Sequence, residues 1–163
     1  MKNQMRKSML ALAVVGGIAF GGQAFAQDCA SPIQIHSDEH GVTGDTCAAG
    51  NPLPSYGGVG SPQNEIIYSF VAQSANATIT IAQTGGYAGS SALAVLLPAC
   101  TPSTDLIQFG APGSPMPVSG LTDGQTYYIA VTADPGGPND GCGAYTIDVD
   151  GTLPVSLQSF SVD

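Results

Sequence analysis

The strongest fold signal in this chain is the stretch GLTDGQTYYIAVTADPGGPNDGCGAYTIDVDG, residues 120–151. It holds two runs of alternating side chains, Thr126–Ala133 and Ala144–Asp150, around a loop rich in Gly and Pro. A period of two places Tyr145, Ile147 and Val149 on one face of a strand and polar residues on the other. The stretch therefore predicts two strands, each with one buried face, joined by a loop.

Similar short runs, rich in β-branched, aliphatic or aromatic residues, occur along the rest of the chain. They predict further strands at Ile33–Ile35, Gly41–Thr46, Glu65–Ala72, Ala77–Gln83, Ala92–Leu97, Leu106–Phe109, Val118–Leu121 and Val155–Val162. Gly and Pro, 22 and 12 residues in the whole chain, cluster between the runs and predict turns. No capped stretch of helical period follows residue 26. The pattern predicts an all-β domain of two antiparallel sheets packed as a sandwich.

Four segments together resemble the bacterial pre-peptidase C-terminal (PPC) domain. They are EIIYSFVA (65–72), ATITIAQTGG (77–86), SALAVLL (91–97) and the stretch 120–151. The matching positions are Tyr68 and Phe70, Thr126–Val131, and Gly143–Val149. The resemblance implies that residues 27–151 form a non-catalytic, jelly-roll-like β-sandwich, of the kind found beside secreted hydrolases and on surface proteins. No catalytic domain accompanies it in this sequence, so the role of a hydrolase accessory is the less favoured alternative.

Residues 1–26 have the three zones of a secretory signal. A cationic start with Lys2, Arg6 and Lys7 precedes an apolar run, and Ala24-Phe25-Ala26 fits an A-x-A cleavage site. The apolar run is too short for a spanning helix, and no second run of that length follows. We therefore predict a bacterial protein that is exported with cleavage after Ala26, acts outside the cell or at its surface, and does not insert into membranes.

The charge of the chain is strongly one-sided. From residue 27 onward it carries twelve Asp and Glu and no Lys or Arg. Binding to nucleic acid depends on cationic contacts with phosphates, and anionic membranes also attract cationic segments, so neither is expected as a partner. Trypsin-like proteases would find no cleavage site beyond Lys7, which suits a protein that persists outside the cell.

The four cysteines, Cys29, Cys47, Cys100 and Cys142, all follow the predicted signal. An even number in an exported protein predicts two disulfides, for which the sequence alone allows three connectivities. Their order along the chain suggests Cys29–Cys47 and Cys100–Cys142.

Two motifs raise the question of a metal. HSDEH (residues 36–40) fits the H-x-x-E-H string of inverted zinc peptidases, in which His36 and His40 would bind the metal. That chemistry needs a helix, and the flanking residues predict a strand and a turn, so an adventitious metal loop or a solvated turn is favoured. Asp134, Asn139 and Asp140 carry the oxygen ligands that Ca²⁺ prefers, but the same residues also suit a hairpin turn.

No catalytic constellation is apparent, since the chain has no G-x-S-x-G elbow and both histidines lie together. We therefore predict a non-enzymatic module without a cofactor, for binding or adhesion to an extracellular protein or polysaccharide; bound Ca²⁺ is an open alternative. Tyr56, Tyr87 and Tyr128 are candidate contact residues if they are exposed.

The alternative is a structural subunit of an extracellular filament or biofilm matrix, in which the chain is its own partner. Residues 152–163 form a separate tail, and LPVSLQSFSVD (153–163) resembles the Leu-Pro-Val-x-Leu-x-x-Phe segment that follows the last β-domain in many secreted bacterial proteins. The tail suits either a last strand of its own sandwich or a strand added to a neighbour's sheet edge.

Overall fold

A computed structural model of the chain describes residues 28–36, 39–61, 63–102, 106–134 and 141–151. The predicted signal (1–26) and tail (152–163), with the predicted strand Val155–Val162, lie outside these residues. The strands are β1 (Ile33–Gln34), β2 (Val42–Asp45), β3 (Ser55–Tyr56), β4 (Val59–Gly60), β5 (Ile66–Val71), β6 (Asn76–Gly86), β7 (Ala92–Leu97), β8 (Gln108–Gly110), β9 (Met116–Ser119), β10 (Thr126–Ala133) and β11 (Gly143–Asp150). A 3-10 turn, Thr46–Ala48, follows β2. The predicted all-β fold is confirmed.

The strands form two main sheets and a small hairpin. The five-stranded sheet has the order β1-β5-β10-β7-β8, and the four-stranded sheet has the order β2-β11-β6-β9. β3 and β4 pair with each other in a hairpin. The pairs are antiparallel except for β1, which lies parallel to β5 and so departs from the fully antiparallel prediction. In both sheets, strands that are distant in sequence pair with each other: β5 pairs with β10, and β2 pairs with β11.

The main core lies between the two sheets. Alternate residues of β5 and β10, including Tyr68, Phe70 and Ile129, face Ile79 and Ile147 of the opposite sheet. This arrangement is the sandwich that the alternating pattern predicts. The part of the chain that the structure describes contains no helix long and apolar enough to cross a membrane.

Two tyrosines bridge the sheets with their polar ends. The hydroxyl groups of Tyr68 and Tyr145 are 2.9 Å apart, and their rings meet edge to face with centroids 6.4 Å apart. Burial raises the pKa of both hydroxyls, so each remains protonated and can donate a hydrogen bond. Gly44 of β2 lies directly over this pair, where a Cβ atom would collide with both hydroxyls.

A second apolar cluster covers the outer face of the five-stranded sheet. Ile67, Val95, Leu97 and Ala130 point outward here, and Leu53 and Tyr56 pack onto them. Leu53 and Tyr56 belong to a segment that we call the strap, residues 50–65, of which Pro62 lies outside the described part. The strap is fastened where the Glu65 N–H donates to the Gly50 carbonyl, 2.7 Å away.

The structure contains two disulfides, which confirms that the protein is disulfide-bonded. The pairing suggested by the order of the cysteines along the chain is wrong. Cys29 pairs with Cys100, and Cys47 pairs with Cys142. Cys47 follows β2, and β2 pairs with β11 in the register Ala144↔Asp45, so Cys47 meets the residue that precedes β11. Cys29 and Cys100 both pack on the outer cluster. Sequence order failed because strand pairing, not proximity along the chain, brings these cysteines together.

Candidate binding groove

The two histidines of the H-x-x-E-H string lie between β1 and β2 and not in a helix. His40 Nδ1 is 3.7 Å from Asp148 Oδ1 and 3.8 Å from Asp150 Oδ1, and all of these side chains are at least partly exposed. No group of three or more His, Cys, Asp or Glu side chains within the described ranges is placed to hold a metal ion. This placement gives no support to the metallopeptidase alternative.

The calcium candidates are described only in part. Asp134 is exposed and follows β10 directly, and its backbone N–H donates to the Ser91 carbonyl at 2.9 Å. Asn139 and Asp140 lie outside the described residues. A calcium site in this loop therefore stays a prediction.

The aromatic contact residues are mostly placed elsewhere than the binding hypothesis requires. Tyr56, in the strap, is buried against the outer cluster, and Tyr87 is buried in the core, where its hydroxyl accepts a hydrogen bond from Thr46 Oγ1 at 3.2 Å. Tyr128 is half-buried against the outer cluster. Tyr56 and Tyr87 are not exposed, so neither meets the condition set for a surface contact residue.

The exposed aromatic residue in the described part of the chain is Phe109 of β8, whose side chain keeps 63% of its surface accessible. It stands at the mouth of a groove of about 330 Å³ between the β3–β4 hairpin and β8. The groove is lined almost entirely by apolar side chains: Tyr56, Val59, Leu93, Val95, Leu106, Phe109 and Ala111, with Asp134 at its margin.

The groove exists because the strap covers only part of an apolar sheet face. β7 has the sequence ALAVLL, with apolar residues on both of its faces. Its inward residues enter the main core, whereas Leu93, Val95 and Leu97 face outward. Phe109 is in register with Val95 and so shares the outward face. Strands that are apolar on both faces are usually covered on both faces. Here the strap leaves Leu93 half-buried and Phe109 exposed.

The groove also lies along a free sheet edge. β8 is the last strand of the five-stranded sheet and, among the described strands, pairs on one side only, with β7. An edge strand presents backbone N–H and C=O groups that an added strand can use. The combination can hold an extended apolar segment by backbone hydrogen bonds and side-chain burial.

The last residue of the strap, Glu65, has the carboxyl group whose pKa is most shifted among the described residues. Glu65 is fully buried, and its Oε1 accepts a hydrogen bond from the Leu53 backbone N–H. Burial raises its pKa to about 8, although the bond from Leu53 acts in the opposite direction. Glu65 Oε2 and both amide atoms of Gln63 have no hydrogen-bond partner among the described residues. The Glu65 carboxyl group is therefore protonated and uncharged in the folded protein at neutral pH.

Phe109 could have been noticed in the sequence, because Leu106-Ile107-Gln108-Phe109 has too few polar residues for a strand with one wet face. The exposure of Phe109, however, depends on how far the strap extends over the sheet, and the sequence around Phe109 does not predict this. Comparison of the chain with protein-family models, with curated proteins and with solved structures found no match in any of the three.

Proposed function

We propose that this protein is a non-catalytic extracellular binding module of the PPC type, and that its binding surface is the groove beside β8. The observation that carries the proposal is Phe109, an aromatic side chain that is 63% exposed at the mouth of an apolar groove. Exposed apolar patches bordered by polar residues typically mark interaction sites in soluble proteins. The occupant would be an extended segment with apolar side chains.

The rest of the molecule suits work outside the cell. Two disulfides are typical of proteins that fold in oxidising compartments. The twelve acidic residues after residue 26, with no Lys or Arg, disfavour polyanionic partners. Polysaccharide is a weaker candidate than protein, because the groove has one polar residue at its margin and sugars need several hydrogen-bonding groups.

The proposal is tested with an immobilised array of neutral decapeptides that alternate Val or Leu with Ser or Gln. We expect the full-length, disulfide-bonded protein to bind a subset of them and the variant Phe109→Ser to lose about 30-fold or more in affinity, as at an interface hot spot. Ile107→Ser is the matched control, because Ile107 is 40% exposed in the same region but does not line the groove.

Binding that is equal in the wild type and Phe109→Ser would overturn the proposal, as would the absence of binding to every peptide. Circular dichroism and thermal unfolding of both variants establish that they fold. Both substitutions replace exposed side chains, so a large loss of stability is not expected.

A further inference from the structure

We propose that the groove of one molecule binds the segment Leu153–Val162 of a second copy of this chain, added as a strand beside β8. The inference rests on the proposed function, because it names the occupant of the same groove. It converts the binding module into a subunit that joins other copies of itself.

The composition of the segment fits the groove. LPVSLQSFSV (153–162) has no charged residue, and Leu153, Val155 and Leu157 fall on one face when the segment is extended. A groove lined by Leu93, Val95 and Phe109 offers apolar contacts to that face. In a chain with twelve acidic residues after position 26, a neutral partner segment also brings no repulsion into the groove.

The path of the chain favours a second copy over the molecule's own groove. β11 ends at Asp150, which pairs with Thr78 in the four-stranded sheet, and Ser74 Oγ holds the Gly151 carbonyl at 3.2 Å. This is the end of the sandwich where β10 begins, since the Ala72 N–H donates to the Gln125 carbonyl there. The groove lies on the outer face of the opposite sheet, over β7 and the edge strand β8.

The path from the end of β11 to the groove of the same molecule is almost as long as the extended segment. Val95 at the groove pairs with Ala130, four residues along β10 from Thr126, which is about 13 Å at 3.3 Å per residue. Crossing the sandwich adds about 10 Å, and passing β6 and β9 adds about 10 Å more. At 3.3 Å per residue this path takes up about ten residues, 152–161, so Leu153, Val155 and Leu157 could not reach their own groove. They can reach the groove of a neighbour.

The contact that results joins two different surfaces, a tail and a groove. Such a head-to-tail contact leaves one unused groove and one unused tail in every complex, so it grows into open chains and does not stop at a closed dimer. Because each added copy is acidic, salt should promote the assembly by screening the repulsion between copies. We therefore expect a concentration-dependent ladder of oligomers that shifts upward with NaCl.

Mixing two complementary variants tests the inference. Phe109→Asp blocks the groove and keeps the tail, whereas Val155→Asp/Leu157→Asp blocks the tail and keeps the groove. We expect each full-length variant alone to sediment as a monomer and their mixture to form a complex of one copy of each. Ile107→Asp, the control for added charge near β8, should still form the ladder with the wild type.

A synthetic peptide separates this inference from the proposed function. TLPVSLQSFSVD should bind the Val155→Asp/Leu157→Asp variant, and a scrambled peptide of the same composition should bind at least about tenfold more weakly. If neutral array peptides bind through Phe109 but TLPVSLQSFSVD does not, the self-assembly inference fails and the proposed function stands. If neither binds, both fail. If the peptide binds but the wild type is monomeric at all concentrations and salts, the tail occupies its own groove and the second-copy inference is overturned.

Discussion

Glu65 is the residue whose chemistry is most altered by folding. Its carboxyl group is fully buried, and burial raises its pKa from 4.5 to about 8. Between these two values the folded protein holds a proton that the unfolded chain releases. By linkage, the stability contributed by the neutral acid is complete below pH 4.5 and is lost as the pH rises through 8.

We therefore expect the free energy of unfolding to fall between about pH 5 and pH 8.5, by up to about 5 kcal/mol from this one group. Glu65→Gln is neutral at every pH and retains a carbonyl oxygen for the Leu53 N–H, so it should flatten the dependence. Urea titrations at several pH values measure the effect. Glu39→Gln is the matched control, because Glu39 is exposed and the histidines are common to all three proteins.

An unchanged pH dependence in Glu65→Gln, with the same slope as in Glu39→Gln, would show that Glu65 is not the titrating group. The sequence predicts none of this, because Glu65 stands at the start of a predicted strand, where a charged residue is usually exposed. Its burial follows from the strap, a segment whose two-residue strands and many Gly and Pro residues give no periodic signal.

At the level of elements, the longest pairing in the described part of the molecule is that of β6 with β11. It runs from Gly143↔Gly86 to Asp150↔Thr78, with a shift of register between Ala144 and Tyr145. At the end where β11 begins, the two backbones approach very closely. A Cβ atom on Gly143 would collide with the Gly85 carbonyl oxygen, the Tyr87 ring and the Gly86 Cα. Backbone atoms of a paired strand cannot move aside cheaply.

Gly143→Ala should therefore destabilise the protein by about 2–4 kcal/mol, through overpacking against backbone. Gly85→Ala is the control on the facing strand, because a Cβ atom there has no neighbour within 4 Å. Its effect should stay within about 0.5 kcal/mol, typical of an open surface position. Thermal and urea unfolding of both variants give the comparison, and equal stabilities would contradict the close-approach argument.

The bounds of the strands show what sequence patterns can and cannot predict about secondary structure. β7 and β10 have the predicted bounds, because their β-branched and apolar runs are followed directly by Pro98 and Asp134. β6 continues beyond the predicted end at Gln83, because its final Gly-Gly pair, which reads as a turn in the sequence, pairs closely with β11. β9 begins at Met116 and not at Val118, because an edge strand tolerates Pro117. The β3–β4 hairpin and the groove were missed because they depend on tertiary contacts.

For the whole molecule, the two disulfides are interleaved along the chain and span 71 and 95 residues. In the chain-entropy model each disulfide stabilises the folded state by about 4–5 kcal/mol, because it closes a long loop in the unfolded chain. Peptic digestion without reduction should release peptides that link Cys29 with Cys100 and Cys47 with Cys142. The double variants Cys29→Ser/Cys100→Ser and Cys47→Ser/Cys142→Ser should each unfold at lower urea concentration. A Cys29–Cys47 peptide would contradict the connectivity.

The acidity of the whole molecule sets the last expectation. Residues 27–163 carry twelve Asp and Glu and no Lys or Arg. Glu65 is neutral in the folded state at neutral pH, and the mutual repulsion of the other carboxylates opposes folding. NaCl screens such repulsion over about 8–10 Å at physiological strength and should raise the melting temperature gradually. CaCl₂ at equal ionic strength should do no more than NaCl if screening is the only effect.

A calcium site in the loop after β10 would give a different result. Binding to the folded state alone stabilises it according to ligand concentration, so the melting temperature would rise at low CaCl₂ where NaCl has no effect. In that case Asp140→Asn should remove the excess, and the exposed Asp123→Asn, with the same change of charge, should retain it. Equal responses to the two salts in the wild type would exclude the calcium site and leave screening as the only role of cations.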